Sequence, residues 1–341
     1  MSNNRIINNT TPHKPRLVRI DIMVGFAMLL VVLGHLSVGF EPEWYSQGLH
    51  NWIYSFHMEM FIFLSAFLIR YTYKGVNSLP EYGQYIWRKF KKFFVWYIII
   101  GLVVALMACF VKHIPLTGHY AAHTLRNLLL YPRWSEASFL WYIYILFGFY
   151  LISPLFFRLP QWARAVCCIG AMFLAMVEGG VLLDTYDFCR YTFFYCLGVL
   201  CAEWITEIRT VKAWQWALMS VPFLSWSVWV FTDGMEICFE YPQLGWWSIV
   251  TGVSALPFFY LLSMVIEKTK GVTAALASIS RNCYWIYLLQ MFIIWGCARV
   301  VHNAVHAGDV PYWLFLVIAT TLAITLPILL AELFKKVFCK K

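Results

Sequence analysis

Charge is scarce in this chain. Asp, Glu, Lys and Arg make up 13% of it, against about a quarter of a soluble domain. With 61% hydrophobic residues and a mean hydropathy of +0.67, that shortage excludes an ordinary soluble globule. The ten cysteines show no CxxC and no Cys/His spacing of a metal site, so they read as small apolar packing residues. A GxSxG elbow, a P-loop and a dinucleotide-binding glycine pattern are all missing, and with them the motif-based case for a serine hydrolase or a nucleotide-driven enzyme. Short alternating strands are missing too, which argues against a membrane β-barrel. No internal repeat is visible.

What the chain does have is apolar runs of about twenty residues, repeated along its length. The fold class they predict is all-α, a polytopic membrane protein of about ten transmembrane helices. We place these near 20–40, 52–73, 93–111, 139–157, 163–180, 190–205, 213–231, 246–266, 282–302 and 311–333. The first 19 residues are polar and basic and the next run is long enough to span, so it is expected to stay as helix 1 and not to be cleaved as a signal peptide. Charge sets the expected orientation. With the N-terminus inside, 21 of the 26 basic residues fall on inner segments, leaving Lys112, Arg126, Arg133, Arg190 and Arg299. Most acidic loop residues, among them Glu41, Glu43, Glu178, Asp233, Glu236, Glu240 and Asp309, fall outside. The positive-inside bias therefore predicts both termini cytoplasmic, and it accounts for the net charge of +9 without a nucleic-acid partner. The expected organisation is a basic cytoplasmic tail over 1–19, one membrane domain over 20–334 and a second basic tail over 335–341.

Two loops carry further signals. The longest outer one, about 112–138, holds His113, His119 and His123. No further ligand supports a metal there, and the loop is expected to cap a cavity. The inner segment WRKFKKFF is basic and amphipathic. It reads either as topology control or as a docking surface for a phosphate-rich ligand.

The chemistry gathers between Arg19 and Arg70. Asp21 and His35 lie in the first apolar run, His57 and Glu59 in the second. Ionisable groups at membrane depth are expensive and point to function. His35 stands about 22 Å along helix 1 from residue 20, in its outer half. His57 and Glu59 begin helix 2 at the same side, so all three are candidates for one site. A neutral imidazole there can take a hydroxyl proton and return it to a leaving group. A carboxylate such as Glu59 could orient it, although an ideal helix turns residues two apart by about 200°. Asp21 is too far along the helix to pair with His35. It is expected to tie the inner end of helix 1 to a base such as Arg88 or Arg281.

The stretches RIDIMVGFAMLLVVLGH, FHMEMFIFLSAFLI, SFLWYIYILFGFYLISPLF and SRNCYWIYLLQMFII, in that order, resemble motifs of the membrane acyltransferase 3 family. The resemblance runs over essentially the whole chain. It implies an O-acyltransferase of the cell inner (plasma) membrane, a sugar or polysaccharide O-acetyltransferase-like enzyme. Acetyl-CoA or another acyl-CoA would be the donor substrate, the acceptor a hydroxyl of a surface or lipid-linked glycan, with no tightly bound cofactor and no metal. The family histidine carries over to His35, its Asp to Asp21 and its Gly to Gly25. Val24, Ala66, Glu59 and Gln290 stand where the family usually has a cation, Gly, Pro and His. On this reading His35, with His57 and Glu59, is catalytic. Arg70, Arg88, Lys89 and Arg281 meet the donor phosphates. Tyr287 and Asn282 donate hydrogen bonds, and Trp134, Trp141 and Tyr142 line the acceptor path. Two alternatives stay open: a glycan transporter or exporter using the same buried ionisable groups, and a catalytically degenerate family member.

Overall fold

The computed structural model describes residues 15–37, 44–176, 180–232, 245–306 and 311–338. The tail up to Lys14, Gly39, Glu41, Glu43, Glu178, Asp233, Glu236, Glu240, Asp309, Lys340 and Lys341 lie outside the described residues. Among those described, every regular element is helical.

Helix α1 (Val18–Ser37) is apolar all round, as a helix enclosed by others must be. It packs against α3 (His57–Tyr71), α13 (Gly245–Ile266), α14 (Lys270–His306) and α15 (Tyr312–Phe338). Contact with α14 is close at Gly25, where a Cβ would meet the Leu276 carbonyl oxygen at 2.5 Å. The expected second helix is two pieces, α2 (Trp44–Tyr54) and α3, separated at Ser55 and Phe56. That break is held from outside. Trp226 Nε1 donates to Ser55 Oγ at 2.9 Å, and Thr251 Oγ1 donates to the Ser55 carbonyl at 2.6 Å. The third is α4 (Leu79–Lys89) and α5 (Val95–Lys112), joined by a π-helical turn over Phe90–Phe94. Helix α4 starts at Ser78, whose hydroxyl accepts from Glu81 N, with Pro80 in its first turn. Then come α6 (Gly118–Leu130), two 3₁₀ turns, α7 (Trp141–Phe156), α8 (Gln161–Leu174), α9 (Thr185–Glu203), α10 (Ile205–Ile208), α11 (Ala213–Met219) and α12 (Val221–Thr232) before α13.

Seven helical stretches among the described residues are long and apolar enough to cross a membrane: Val18–Leu36, Gly48–Tyr71, Leu79–Lys112, Ser138–Phe156, Trp247–Ile266, Lys270–Val300 and Tyr312–Phe334. This corrects the expected ten. The other three runs are helices but fall short of a span. Helix α8 has 14 residues and α12 has 12, both below the roughly 17 that a bilayer core needs. Helix α9 has the length but carries Asp187, Arg190 and Glu203.

Helix α9 is charged because it lies on α3. Arg190 Nη2 donates to Glu59 Oε1 at 3.2 Å, and Arg70 Nε donates to Glu203 Oε1 at 2.6 Å. Both helices advance from the first pair to the second, so they run parallel. Between the pairs, a Cβ on Gly198 would stand 2.3 Å from the Phe63 carbonyl oxygen. Only a glycine allows that backbone approach. Arg164 on α8 also bonds Glu203, at 2.9 Å. Two ends of the bundle follow from α1 and are used below: the Asp21 end and the His35 end.

Candidate active site

At the His35 end a cavity of about 400 Å³ opens among α1, α2, α3, the loop before α7, α7 and α14. His35, His57, Arg133, Trp141 and Tyr287 line it. His35 is half-buried and lies on the lining. His57 is 4% exposed and begins α3 directly after the helix break. Its Nδ1 stands 2.8 Å from the Ile53 carbonyl oxygen, at the end of α2. A carbonyl only accepts, so Nδ1 carries the proton and Nε2 is the acceptor nitrogen. The break between α2 and α3 thus fixes the tautomer. The edge of Tyr54 packs on the ring at 4.8 Å.

Glu59 is not on this lining. Two residues past His57, the helix has turned it onto α9, where it accepts from Arg190 with 1% of its surface exposed. It therefore stands off the histidine cavity, on the α3–α9 seam. Of the carboxylates, Glu136 is on the lining and pairs with Lys112 at 2.8 Å; one that binds a lining residue from behind is Asp187, in the first turn of α9. It accepts from Arg133 Nε at 2.6 Å. The Arg133 guanidinium lies 3.9 Å over the Trp141 ring, and Trp141 stacks on Tyr191 of α9 at 5.3 Å. Beside Asp187, the Asp184 carboxyl is pushed up to about 8 by burial and then by the Asp187 charge, with Arg133 opposing. It holds its proton at neutral pH and is hydrogen-bonded with Asp187. Leu183 and Asp184 reach this position with left-handed backbones, at φ of 56° and 55°.

The other expected residues divide. Tyr287 lines the cavity and donates its hydroxyl proton to the Phe139 carbonyl. Tyr142 is buried behind it, edge-on at 5.3 Å, with its hydroxyl 2.6 Å from Ser65 Oγ. Trp134 is 68% exposed and off the lining. Asn282 is buried and donates to the Ser278 carbonyl at 3.0 Å. His119 and His123 lie on α6, and no group of three or more His, Cys, Asp or Glu among the described residues could hold a metal.

At the Asp21 end the basic residues do not form one surface. Asp21 accepts from Arg16 and, at 3.0 Å, from Ser280 Oγ; its expected partners Arg88 and Arg281 are not bonded to it. The nearer base before α1 and the α14 hydroxyl take that place. Arg88, Lys89 and Lys74 line a pocket of about 180 Å³, with Lys89 Nζ 4.2 Å over Tyr150. Arg70 lines a different one with Arg164. Arg281 is exposed and lines neither. A further pocket of about 410 Å³ holds Arg16, Arg19 and Arg209.

Sequence reasoning missed Arg133, Asp187 and Arg190, which it counted as outer-loop charges. One signal was present: Arg133 lies in the loop expected to cap a cavity.

No curated protein and no solved structure matches the chain. The acyltransferase-domain family Acyl_transf_3 matches residues 17–332, which takes in the cavity, its lining and all seven long apolar stretches but the last two residues of Tyr312–Phe334. With nearly the whole chain matched, this protein belongs to that family and is a polytopic membrane acyltransferase.

Proposed function

We propose that the protein transfers an acyl group, acetyl in the first instance, from acyl-CoA to a hydroxyl of a cell-surface or lipid-linked carbohydrate. The observation that carries this reading is the pair of histidines on one cavity, His57 with its tautomer fixed by the Ile53 carbonyl and His35 beside it. Neutral imidazole in a confined site is the group suited to take a proton from a hydroxyl and return it to a thiolate. No covalent enzyme intermediate is required. His35 is the base; His57 accepts at Nε2 and orients the acceptor hydroxyl. Trp141, Tyr54 and Trp295 give the lining flat apolar faces of the kind sugars stack on.

The donor end is the Asp21 end. There Arg88, Lys89 and Lys74 face one pocket, a match for phosphates. The orientation that goes with this is cytoplasmic N- and C-termini in the inner membrane, supported by the charge bias of the loops. The pantetheine arm then brings the thioester toward His35 while the glycan meets the cavity from the opposite side.

The test is transfer by purified protein in lipid, with acetyl-CoA and a panel of glycan acceptors, reading free CoA and mass-shifted glycan. His35→Ala is expected to lower transfer by about 10²-fold or more in a monodisperse protein. Equal activity in both would remove His35 from the mechanism. Absent CoA binding in the same samples would remove the donor.

A further inference from the structure

The histidine cavity is graded from a buried floor to an open mouth. His57 is 4% exposed and His35 is half-buried, whereas Glu136, Ser138 and Trp295 are exposed and line the same space. A carboxylate, a hydroxyl and an indole thus meet at the mouth, and proton transfer uses none of them. The aromatic rings of the lining are not equivalent either. Trp141 carries the Arg133 guanidinium at 3.9 Å and stacks on Tyr191 at 5.3 Å. Tyr54 stacks on His50 at 4.1 Å and meets His57 at 4.8 Å. Trp295 meets Phe139 and Phe292 at 5.8 and 6.0 Å, each near a right angle, and keeps 38% of its surface exposed.

We propose that Trp295, Glu136 and Ser138 form the acceptor subsite at this mouth, and that it takes an uncharged sugar ring with neighbouring hydroxyls. This rests on the acyl-transfer reading above. An indole gives the apolar C–H face of a sugar ring a flat partner. A carboxylate accepts from more than one hydroxyl, and Lys112 holds Glu136 through Oε2 at 2.8 Å, which leaves Oε1 to the cavity. The Ser138 hydroxyl, two positions on, is both donor and acceptor and is bonded to none of the described residues. Ring face and hydroxyl edge are thereby both provided for.

The preference for an uncharged ring follows from how the lining charges are spent. Arg133 is bonded to Asp187, and Glu136 to Lys112. An ionised acceptor would give up its water with no counter-charge set aside for it, and Glu136 would meet a sugar carboxylate as a like charge. A neutral ring exchanges water for carboxylate and hydroxyl oxygens, at little net loss. The same two ion pairs tie the loop before α7 to α9 on one side and to α5 on the other, and Tyr287 bonds its Phe139 carbonyl. Glu136 and Ser138 are therefore presented from a backbone that is already held, which lowers the ordering cost of binding.

The experiment measures steady-state acetyl transfer in lipid for wild type, Trp295→Ala, Trp295→Phe, Glu136→Gln and Ser138→Ala. The acceptors are neutral gluco-, galacto- and manno-oligosaccharides, and the matching uronic acid oligosaccharides as free carboxylate and as methyl ester. Acid and ester differ in charge alone. Wild type is expected to prefer each ester it uses over the acid by about tenfold or more in kcat/KM, or about 1.4 kcal/mol. W295A should raise the acceptor KM by about tenfold with the KM for acetyl-CoA within about threefold, and W295F should lie between. E136Q should raise the acceptor KM by about tenfold, as loss of a charged hydrogen-bond partner does, and narrow the preference over the acid. S138A should give the smallest rise. A tryptophan that only anchored α14 at the bilayer surface would leave the acceptor KM where it was. Acceptor KM within about threefold of wild type in both W295A and E136Q overturns the proposal. An acid used as well as its ester overturns the preference for an uncharged ring. If W295A is not monodisperse, W295F and E136Q decide. Wild-type protein that transfers to no acceptor sinks the acyl-transfer reading and this proposal with it. Active wild type with an unmoved acceptor KM in the variants sinks this proposal alone.

Discussion

Arg133 and Asp187 stand 2.6 Å apart at the His35 end; Arg19 and Glu267 stand 2.7 Å apart at the Asp21 end. The distances are alike and the surroundings are not. Asp187 is 1% exposed and belongs to a buried series of alternating charges, whereas Arg19 and Glu267 are each 37% exposed. Water screens the second pair and leaves it worth little. In the first pair Asp187 has lost its water while Arg133 keeps 30% of its surface exposed, so it is the carboxylate that depends on its partner. One end of the molecule is arranged to hold a charge still. The other offers several solvated cations, suited to gathering a flexible polyanion.

That contrast can be broken from its buried side first. Glu59→Leu leaves Arg190 buried without its carboxylate, and the expected loss is about 3–5 kcal/mol of stability. Thermal unfolding in detergent checks it, and Glu59→Leu with Arg190→Met should recover much of the loss. A loss under about 1 kcal/mol would place the pair with the exposed ones. Gly198→Ala tests the seam that carries the pair. Its methyl would meet the Phe63 carbonyl, so we expect about 1–3 kcal/mol of destabilisation by the same measurement.

Asp184 adds a pH dependence of defined sign. Its carboxyl is raised from 3.8 to about 8, so between those values the folded protein holds a proton that the unfolded chain has released. Stability from this group is full below about pH 4, falls as pH rises, and levels off above about pH 8. Asp184→Asn should flatten that part of the profile of melting temperature against pH; an unchanged slope would mean that another group sets it. The smallest effect belongs to the exposed end. Arg19→Ala should change stability by less than about 1 kcal/mol, and less still in high salt.

Much of the architecture was legible in the sequence, because apolar runs of bilayer length admit few structures. All ten expected runs are helical, within a few residues at most boundaries. Three of them are not long apolar spans: α8 and α12 are too short, and α9 carries Asp187 and Arg190, held by protein partners that hydropathy cannot see. His35, His57, Trp141 and Tyr287 were readable as candidates from their chemistry and depth. The charged support was not. Arg133 finds Asp187 across 54 positions and Arg190 finds Glu59 across 131. Such pairs come from the packing of α9 on α3, and a loop charge gives no sign of it. The break at Ser55 and Phe56 was equally hidden, because its hydrogen bonds come from Trp226 and Thr251.

The parallel seam of α3 and α9 has a consequence for how the chain is made. Helix α3 bears Glu59 near one end and Arg70 near the other; α9 bears Arg190 and Glu203 in the complementary order. A reversed α9 would set Glu203 against Glu59 and Arg190 against Arg70, two like-charge contacts in a poorly screened setting. Helix α3 leaves the ribosome first, so its charges are waiting when α9 arrives. Helix α9 carries three charged side chains that α3 and its neighbours pair. The two ion pairs thus favour one direction of α9 along α3 and disfavour the other.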